Sequence, residues 1–386
     1  MAKPANSTLS GYGTTIFTVM SGLAEEHRAI NLGQGFPDEE GPEDIRQYAA
    51  KAALHGNNQY PPMMGIPELR RAVAEHSKRF FGLDFDWQSQ VMVTSGATEA
   101  LAASILGLIE PGDEAVLIEP LYDSYLPILQ LAGATPRLVR IKPPDWQLPR
   151  EALAEAFSEK TKLIILNSPM NPSAKVFDHD GLGFIAGLVK KHDAYAICDE
   201  VYEHLVFESR HTPLISLPGM AERALRIGSA GKTFSLTGWK VGYVSGPEAL
   251  ITAAAKAHQF LTFTTAPNLQ HAVAYGLGKP DSYFASLAGD LRAKKELLAK
   301  GLADMGMGVL DSQGTYFVTA DFSPLGFNGS DEDFCRHITQ EAGVAAVPVS
   351  AFYQENGPDH FARFCFCKQD EVLLEALARL KAHFGG

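Results

Sequence analysis

Apolar and polar positions alternate along this chain with two different periods. PELRRAVAEHSKRFFG, residues 67–82, puts Leu69, Val73, His76 and Phe80 on one face at helical spacing. Pro67 stands at its start and Gly82 just past its end, so the spacing predicts a helix. Short β-rich runs recur elsewhere: QVMVTS, EAVLIEP, TPRLVRI, TKLIILNSP, AYAICDE, ALRIGSA and KVGYVSG. Several are separated by helical pattern such as DGLGFIAGLVKKH. QVMVTS runs through Gly96 into an apolar helix beginning near Thr98. Strands alternating with helices predict an α/β architecture, a mostly parallel sheet covered on both faces.

After about residue 276 the rhythm changes. SYFASLAGDLRAKKELLAKGLADM reads as a long amphipathic helix with Phe284, Leu287, Leu291, Leu298 and Leu302 on one stripe. TYFVTADF, a helix from Asp331, VAAVPV, FARFCFC and a last helix, DEVLLEALARLKAHF, follow. The pattern predicts a second, smaller α+β domain. The expected division is an N-terminal arm and part of the small domain over 1–40, a large domain over 41–276 and a C-terminal small domain over 277–386.

Composition narrows the functions open to such a fold. The 386 residues carry a formal net charge of −12, which disfavours a nucleic-acid backbone as partner. Cys198, Cys335, Cys365 and Cys367 contain no Cys-x-x-Cys pair, so no metal site and no disulfide framework are expected. MAKPANSTLSGYG has no apolar core of a signal peptide, and no run of roughly 18 apolar residues could span a bilayer. The expectation is a cytoplasmic protein with no membrane or nucleic-acid partner.

In open α/β sheets ligands sit beyond the carboxyl ends of the strands. Ser95, Asn167, Asp199 and Ser229 end four of the predicted strands. TSGATEA can be an anion site at a helix start or a plain cap. NSPMNP by itself is turn chemistry. An acid at Asp199, without a set of His or Asp ligands nearby, suits a protonated pyridine nitrogen, because a negative neighbour favours the cation.

GSAGKTFSLTGWKVGY raises the sharpest choice. Gly231-Lys232-Thr233 matches the end of a phosphate-binding nucleotide loop, but Arg226 occupies the first glycine position, and the stretch that follows reads as strand. Ser229 and Lys232 also spell Ser-x-x-Lys, yet Phe234 follows Lys232-Thr233 where Lys-Thr-Gly would need glycine. A lysine acting as a covalent Schiff-base catalyst remains.

With SGATEA, NSPMNP, DEVY, SAGKTFSLTGWKVGY and RFCF in this order, the chain resembles the fold-type I, pyridoxal-phosphate-dependent aminotransferases over nearly its whole length. The resemblance implies pyridoxal 5'-phosphate held as a Schiff base by Lys232, which later moves the proton. It implies Asp199 at the ring nitrogen, with Tyr202 and Asn171 at the ring's phenolic oxygen. Gly96, Ala97, Ser229 and Lys240 would hold the phosphate, Thr98 would be a further cofactor contact, and Tyr122 would stack on the ring. Tyr60 would reach the phosphate of a neighbouring subunit, which implies a homodimer. Arg363 would clamp the substrate α-carboxylate with a bidentate pair, aided by Asn167 and the backbone of Gly35.

NLGQGFPD, SLTGWKVGY and AHQFLTFTTAPNLQ resemble the branch containing methionine aminotransferases, kynurenine aminotransferases and glutamine transaminase K. Thr264 stands where that branch has a His. Side-chain preference would come from Tyr12, Phe17, Phe36, Tyr60, Tyr122, Phe263 and Phe352. With no second arginine evident, an apolar, thioether or aromatic amino acid, glutamine or kynurenine is the expected donor and a 2-oxo acid the acceptor. The alternatives are a β-lyase on the same scaffold and an N-succinyldiaminopimelate aminotransferase. The latter substrate would call for a basic group deeper in the pocket. A cofactor-sensing regulator is disfavoured, because the fold's motifs begin by about residue 33 and leave no room for a DNA-binding domain ahead of them.

Overall fold

A computed structural model describes residues 3–208 and 210–385. The main sheet has seven strands: β1 (Val91–Thr94), β2 (Glu114–Glu119), β3 (Thr135–Arg140), β4 (Thr161–Asn167), β5 (Tyr195–Asp199), β6 (Ala224–Ser229) and β7 (Gly242–Ser245). Their spatial order is β1-β7-β6-β5-β4-β2-β3. β7 runs antiparallel to both of its neighbours, and every other pairing is parallel. The runs seen in the sequence are therefore strands, and the sheet is mostly parallel.

Successive side chains of a strand point to opposite faces. Val116, Ile118, Ile164 and Leu166 accordingly join one apolar core, while Leu117, Ile165, Ile197 and Ile227 join the other. All eight are buried, and each contributes about 1.5–3 kcal/mol relative to exposure. A sheet buried on both faces holds its strand ends in fixed register. The ends of β4, β5 and β6 are thus rigid mounts for side chains.

Helix α1 (Pro67–Phe81) starts and stops where its sequence predicts. Gly82 ends it in the left-handed region at φ +70°, and its N–H bonds to the carbonyl of Lys78. Helix α2 spans Gly96–Leu108, starting two residues earlier than Thr98. Gly96 itself, at φ +80°, turns the chain directly from strand to helix.

Helix α3 (Glu248–Leu261) packs on α2, and α4 (Asp281–Asp304) buries Phe284, Leu291, Leu298 and Leu302 with Leu287 half-buried. Beyond α4 lies an antiparallel four-stranded sheet that includes β8 (Phe317–Asp321) and β9 (Phe361–Cys365), paired so that Thr319 faces Arg363. Ile30–Asn31 pairs in parallel with Val344–Ala345, which fastens the N-terminal segment to the C-terminal part of the chain. Among the described residues no helix is long and apolar enough to cross a membrane.

Candidate active site

The carboxyl ends of β4, β5 and β6 supply Asn167, Asp199 and Ser229 to one cavity of about 360 Å³. Gly96, Ala97 and Thr98 from the start of α2, Tyr122, Asn171, Tyr202, Lys232, Lys240, Gly35 and Arg363 line it as well. Tyr60 does not: it is 84% exposed and lies edge-on to Phe263, 5.8 Å between ring centres. Of the other aromatics expected to shape specificity, Phe17 and Phe36 line the cavity and Phe317 joins them. Tyr12, Phe263 and Phe352 do not; Tyr12 donates to Gln130 Oε1 at 2.7 Å, and Phe352 packs edge-on against Phe17.

Lys232 sits in the single helical turn Ala230–Thr233 that follows β6. Its Nζ donates to the Tyr316 hydroxyl at 2.7 Å and approaches the Gly35 carbonyl at 3.4 Å. Tyr316 in turn donates to Gly35 O at 2.5 Å. Burial lowers the Lys232 pKa and Arg363 adds to this, while Cys367, Cys365 and Asp199 oppose it. An amine so placed gives up its proton more readily than a surface lysine.

Asp199 is buried at the end of β5. Burial raises its pKa, and the hydroxyl of Tyr125, donating to Oδ2 at 2.6 Å, is the largest opposing influence. The Val201 amide reaches Oδ1 at 3.4 Å, and Asn167 Nδ2 fixes the Asp199 backbone carbonyl at 2.9 Å. Tyr202 packs edge-on to Tyr316 with ring centres 5.2 Å apart, and burial pushes its hydroxyl pKa up. Burial likewise carries Tyr122 up to about 12.

Arg363 is fully buried in β9. One terminal nitrogen donates to Asn171 Oδ1 and the other to Gly33 O, both at 2.7 Å. The guanidinium stacks 3.8 Å from the centre of the Phe317 ring, and its Nε has no hydrogen-bond partner among the described residues. Burial draws its pKa down to about 10. The groups that hold Arg363 in place are thus Asn171 and Gly33, whereas Asn167 secures Asp199 and Gly35 receives Tyr316.

The lining fits a phosphorylated pyridine. The Ser95 side chain caps no amide of α2, so the first-turn N–H groups at the cavity wall are available to an anion. Ser229 and Lys240 lie on the same wall. A Cβ at Gly242 would fall 2.5 Å from Gly96 C and 2.7 Å from Ala97 N. Only glycine there lets β7 pass so close to the helix start. The buried carboxylate of Asp199 is suited to a cationic ring nitrogen.

The model of the aminotransferase class I and II family matches residues 27–380. The chain belongs to this family. A probable N-succinyldiaminopimelate aminotransferase of Mycobacterium tuberculosis is 46% identical over 97% of both chains. The methionine aminotransferase of Escherichia coli is 40% identical, again over 97% of each. The solved structure of N-succinyldiaminopimelate aminotransferase from Mycobacterium tuberculosis superimposes with a TM-score of 0.95 at 45% identity, covering 98% of this chain and 100% of that one. This class I and II aminotransferase is an enzyme, and the family works with pyridoxal phosphate.

Three contacts of the site escaped the sequence patterns. Tyr125 on Asp199, Tyr316 on Lys232 and Gly33 on Arg363 join residues 74, 84 and 330 positions apart. Only Tyr125 carried a local hint, lying three residues beyond Tyr122 at the head of a helix.

Proposed function

We propose that this aminotransferase moves the amino group of an apolar, thioether or aromatic L-amino acid to a 2-oxo acid, with pyridoxal phosphate held by Lys232, Asp199 and the α2 cradle. The observation that carries the proposal is the one cavity in which a half-buried lysine, a buried carboxylate and a buried arginine converge. Bound pyridoxal phosphate supplies an electron sink for the charge left when the substrate Cα loses its proton.

The chain's own residues do the rest. Lys232 Nζ, oriented by Tyr316, takes the Cα proton. Asp199 holds a proton on the ring nitrogen, and Tyr125 keeps Asp199 ionised. Ser229, Lys240 and the amides of Ala97 and Thr98 anchor the phosphate. Tyr202 and the Nδ2 of Asn171 serve the ring oxygen, Tyr122 covers the ring face, and Arg363 receives the α-carboxylate. Asn167 and Gly35 act one step back, through Asp199 and Tyr316.

Phe17, Phe36 and Phe317 on the wall favour an apolar side chain. The cations that line the cavity are Lys232, Lys240 and Arg363, and each already has a task. The 46% identity to the Mycobacterium tuberculosis protein favours N-succinyldiaminopimelate as a second reading. We further propose a cytoplasmic homodimer in which Tyr60 serves the neighbouring site. It is supported by the exposure of Tyr60 and Phe260, both 84%. The arm and the two domains would divide near residues 40 and 276.

Borohydride reduction followed by peptide mapping tests the lysine; cofactor fixed to any residue but Lys232 overturns the site. A donor panel scored by 2-oxo acid formation tests the substrate. Methionine or phenylalanine should lead; N-succinyldiaminopimelate in first place would establish the second reading. Pyruvate and ammonia released without an acceptor would reveal a lyase.

A further inference from the structure

A second cavity of about 50 Å³ shares Lys232 with the main one. Lys232 and Tyr316 form part of its wall, and Cys367 forms another part. The sulfur of Cys367 is 3.1 Å from that of Cys365, and both side chains are buried. Cys198 and Cys335 are also buried and free. Among the described residues only the 365/367 pair has sulfur-to-sulfur contact.

The segment bearing this pair is tied to the active site at Arg363, Cys365, Phe366 and Lys368. Arg363 holds Gly33 and Asn171. The Cys365 amide bonds to Leu32 O at 2.7 Å, and the Phe366 amide to Tyr316 O at 2.9 Å. Lys368 Nζ donates to Phe36 O at 3.1 Å and to Asp38 Oδ1 at 2.7 Å. Within six residues the chain therefore fixes the carboxylate clamp, the tyrosine that orients Lys232, and the 33–38 loop that walls the cavity.

We propose that Cys365 and Cys367 are a redox modification site: a hydroperoxide converts the dithiol to a disulfide, and the contraction withdraws Arg363, Tyr316 and the 33–38 loop from their working positions. The functional part of this proposal rests on the roles given above to Lys232 and Arg363; the thiol chemistry does not.

Cys367 is buried but forms part of the wall of the second cavity, the route we assign to a small oxidant; burial and the neighbouring Cys365 push its thiol pKa up, so the first oxidation is the slow step. The Cys367 sulfur attacks one peroxide oxygen and the O–O bond breaks, giving a sulfenic acid and, for hydrogen peroxide, one water. The Cys365 sulfur then attacks the oxidised sulfur. The S–O bond breaks, the S–S bond forms, and the Cys365 proton leaves with the hydroxyl as a second water. Two thiols lose two electrons and the peroxide gains them. Cys365 is suited to the second step. Burial opposes its ionisation, but the hydrogen bond with Cys367 and the charges of Lys368 and Arg363 outweigh it and lower its pKa. A disulfide is about 2.05 Å long, so the sulfurs must close by about 1 Å. Residues two apart in extended chain meet that demand only by bending the backbone between them, and Phe366 carries the bond to Tyr316 there.

The test uses the cofactor-loaded enzyme, treated with a few equivalents of hydrogen peroxide and alkylated before digestion. Both sulfurs fall in one tryptic peptide, residues 364–368. Its loss of two hydrogens should track a fall in transaminase activity of about tenfold or more, and a thiol reductant should reverse both. Cys367→Ser should keep its activity under the same dose. The wild-type peptide mass stands alone if that variant fails to fold. A peptide that stays fully reduced after treatment, a disulfide with unchanged activity, or a loss that thiol cannot reverse would overturn the proposal. Borohydride mapping on the same sample reports separately on Lys232. Cofactor on another lysine with the peptide oxidised would defeat the functional assignment and not the thiol chemistry.

Discussion

Replacing Tyr125 by Phe removes one hydroxyl from a fully buried site and leaves the ring's packing intact. That hydroxyl donates to Asp199 Oδ2 at 2.6 Å, a hydrogen bond to a charged acceptor. Such bonds are worth about 1.5–3 kcal/mol, against about 0.5–1.5 for a neutral pair. With the ring in place, Asp199 can share the proton in two ways: carboxylate beside protonated nitrogen, or neutral acid beside neutral nitrogen. Tyr125 favours the first by roughly the difference between those ranges, about 1–2 kcal/mol. Losing it should therefore lower kcat by about 5–30-fold, since 1.4 kcal/mol corresponds to tenfold. KM for the amino acid should change little, because Arg363 is untouched. Steady-state kinetics with saturating cofactor measures both. The visible absorption of the bound cofactor should titrate at lower pH in the variant, because the protonated ring has lost support. An unchanged kcat together with an unchanged titration would refute the idea that Tyr125 maintains the Asp199 charge.

Three other outcomes follow from the same geometry. Arg363→Lys loses the planar fork that spans Asn171 Oδ1 and Gly33 O, and KM for the amino acid should rise by about 10–100-fold; a KM within twofold of wild type would contradict the clamp. Gly96→Ala forces a side chain into φ +80° with its Cβ 3.2 Å from Lys240 Cε, so cofactor affinity, read by dialysis and absorbance, should fall about tenfold or more. His258 lies 2.8 Å from Glu99 and 3.0 Å from the Met63 carbonyl; burial works against its charge, but Glu99 raises its pKa above the usual value. Its folded pKa thus exceeds its unfolded one, and its stabilisation is complete below about pH 6.5 and fades as pH rises through the folded value. The gap in urea midpoint between wild type and His258→Gln should be widest at acidic pH and narrow toward alkaline pH; a gap that widens instead would reverse the assignment.

Much of this was legible in the sequence for definite reasons. Pro67 and Gly82 bracket α1 because both act locally, one through a missing N–H and the other through a positive φ. Six strands of the main sheet announced themselves as short apolar runs because both of their faces are buried, whereas the edge strand β3 alternates exposed and covered positions. β7 looked like its neighbours, since direction leaves no trace in the composition of a buried strand. Lys232, Asp199 and Arg363 came from motifs in a shared order. Tyr125, Tyr316 and Gly33 did not, because a hydrogen bond across tens or hundreds of residues has no period to detect. The same limit hid what holds Arg363: Asn167 and Asn171 are near neighbours in the chain, and only the fold decides that Asn171 is the one bonded to the guanidinium.

The contact of Gly242 with Gly96 and Ala97 has a consequence for biogenesis. The proposed phosphate cradle is closed by two pieces of chain 146 positions apart, pressed together with no room for a methyl group. If both pieces hold the phosphate as proposed, the site forms only once the sheet that brings them together is complete. A ligand that recognises only the completed fold stabilises it by mass action, about 2.7 kcal/mol at a hundred times its dissociation constant. Vitamin supply would then set how much of this enzyme persists in a cell as well as how fast it turns over.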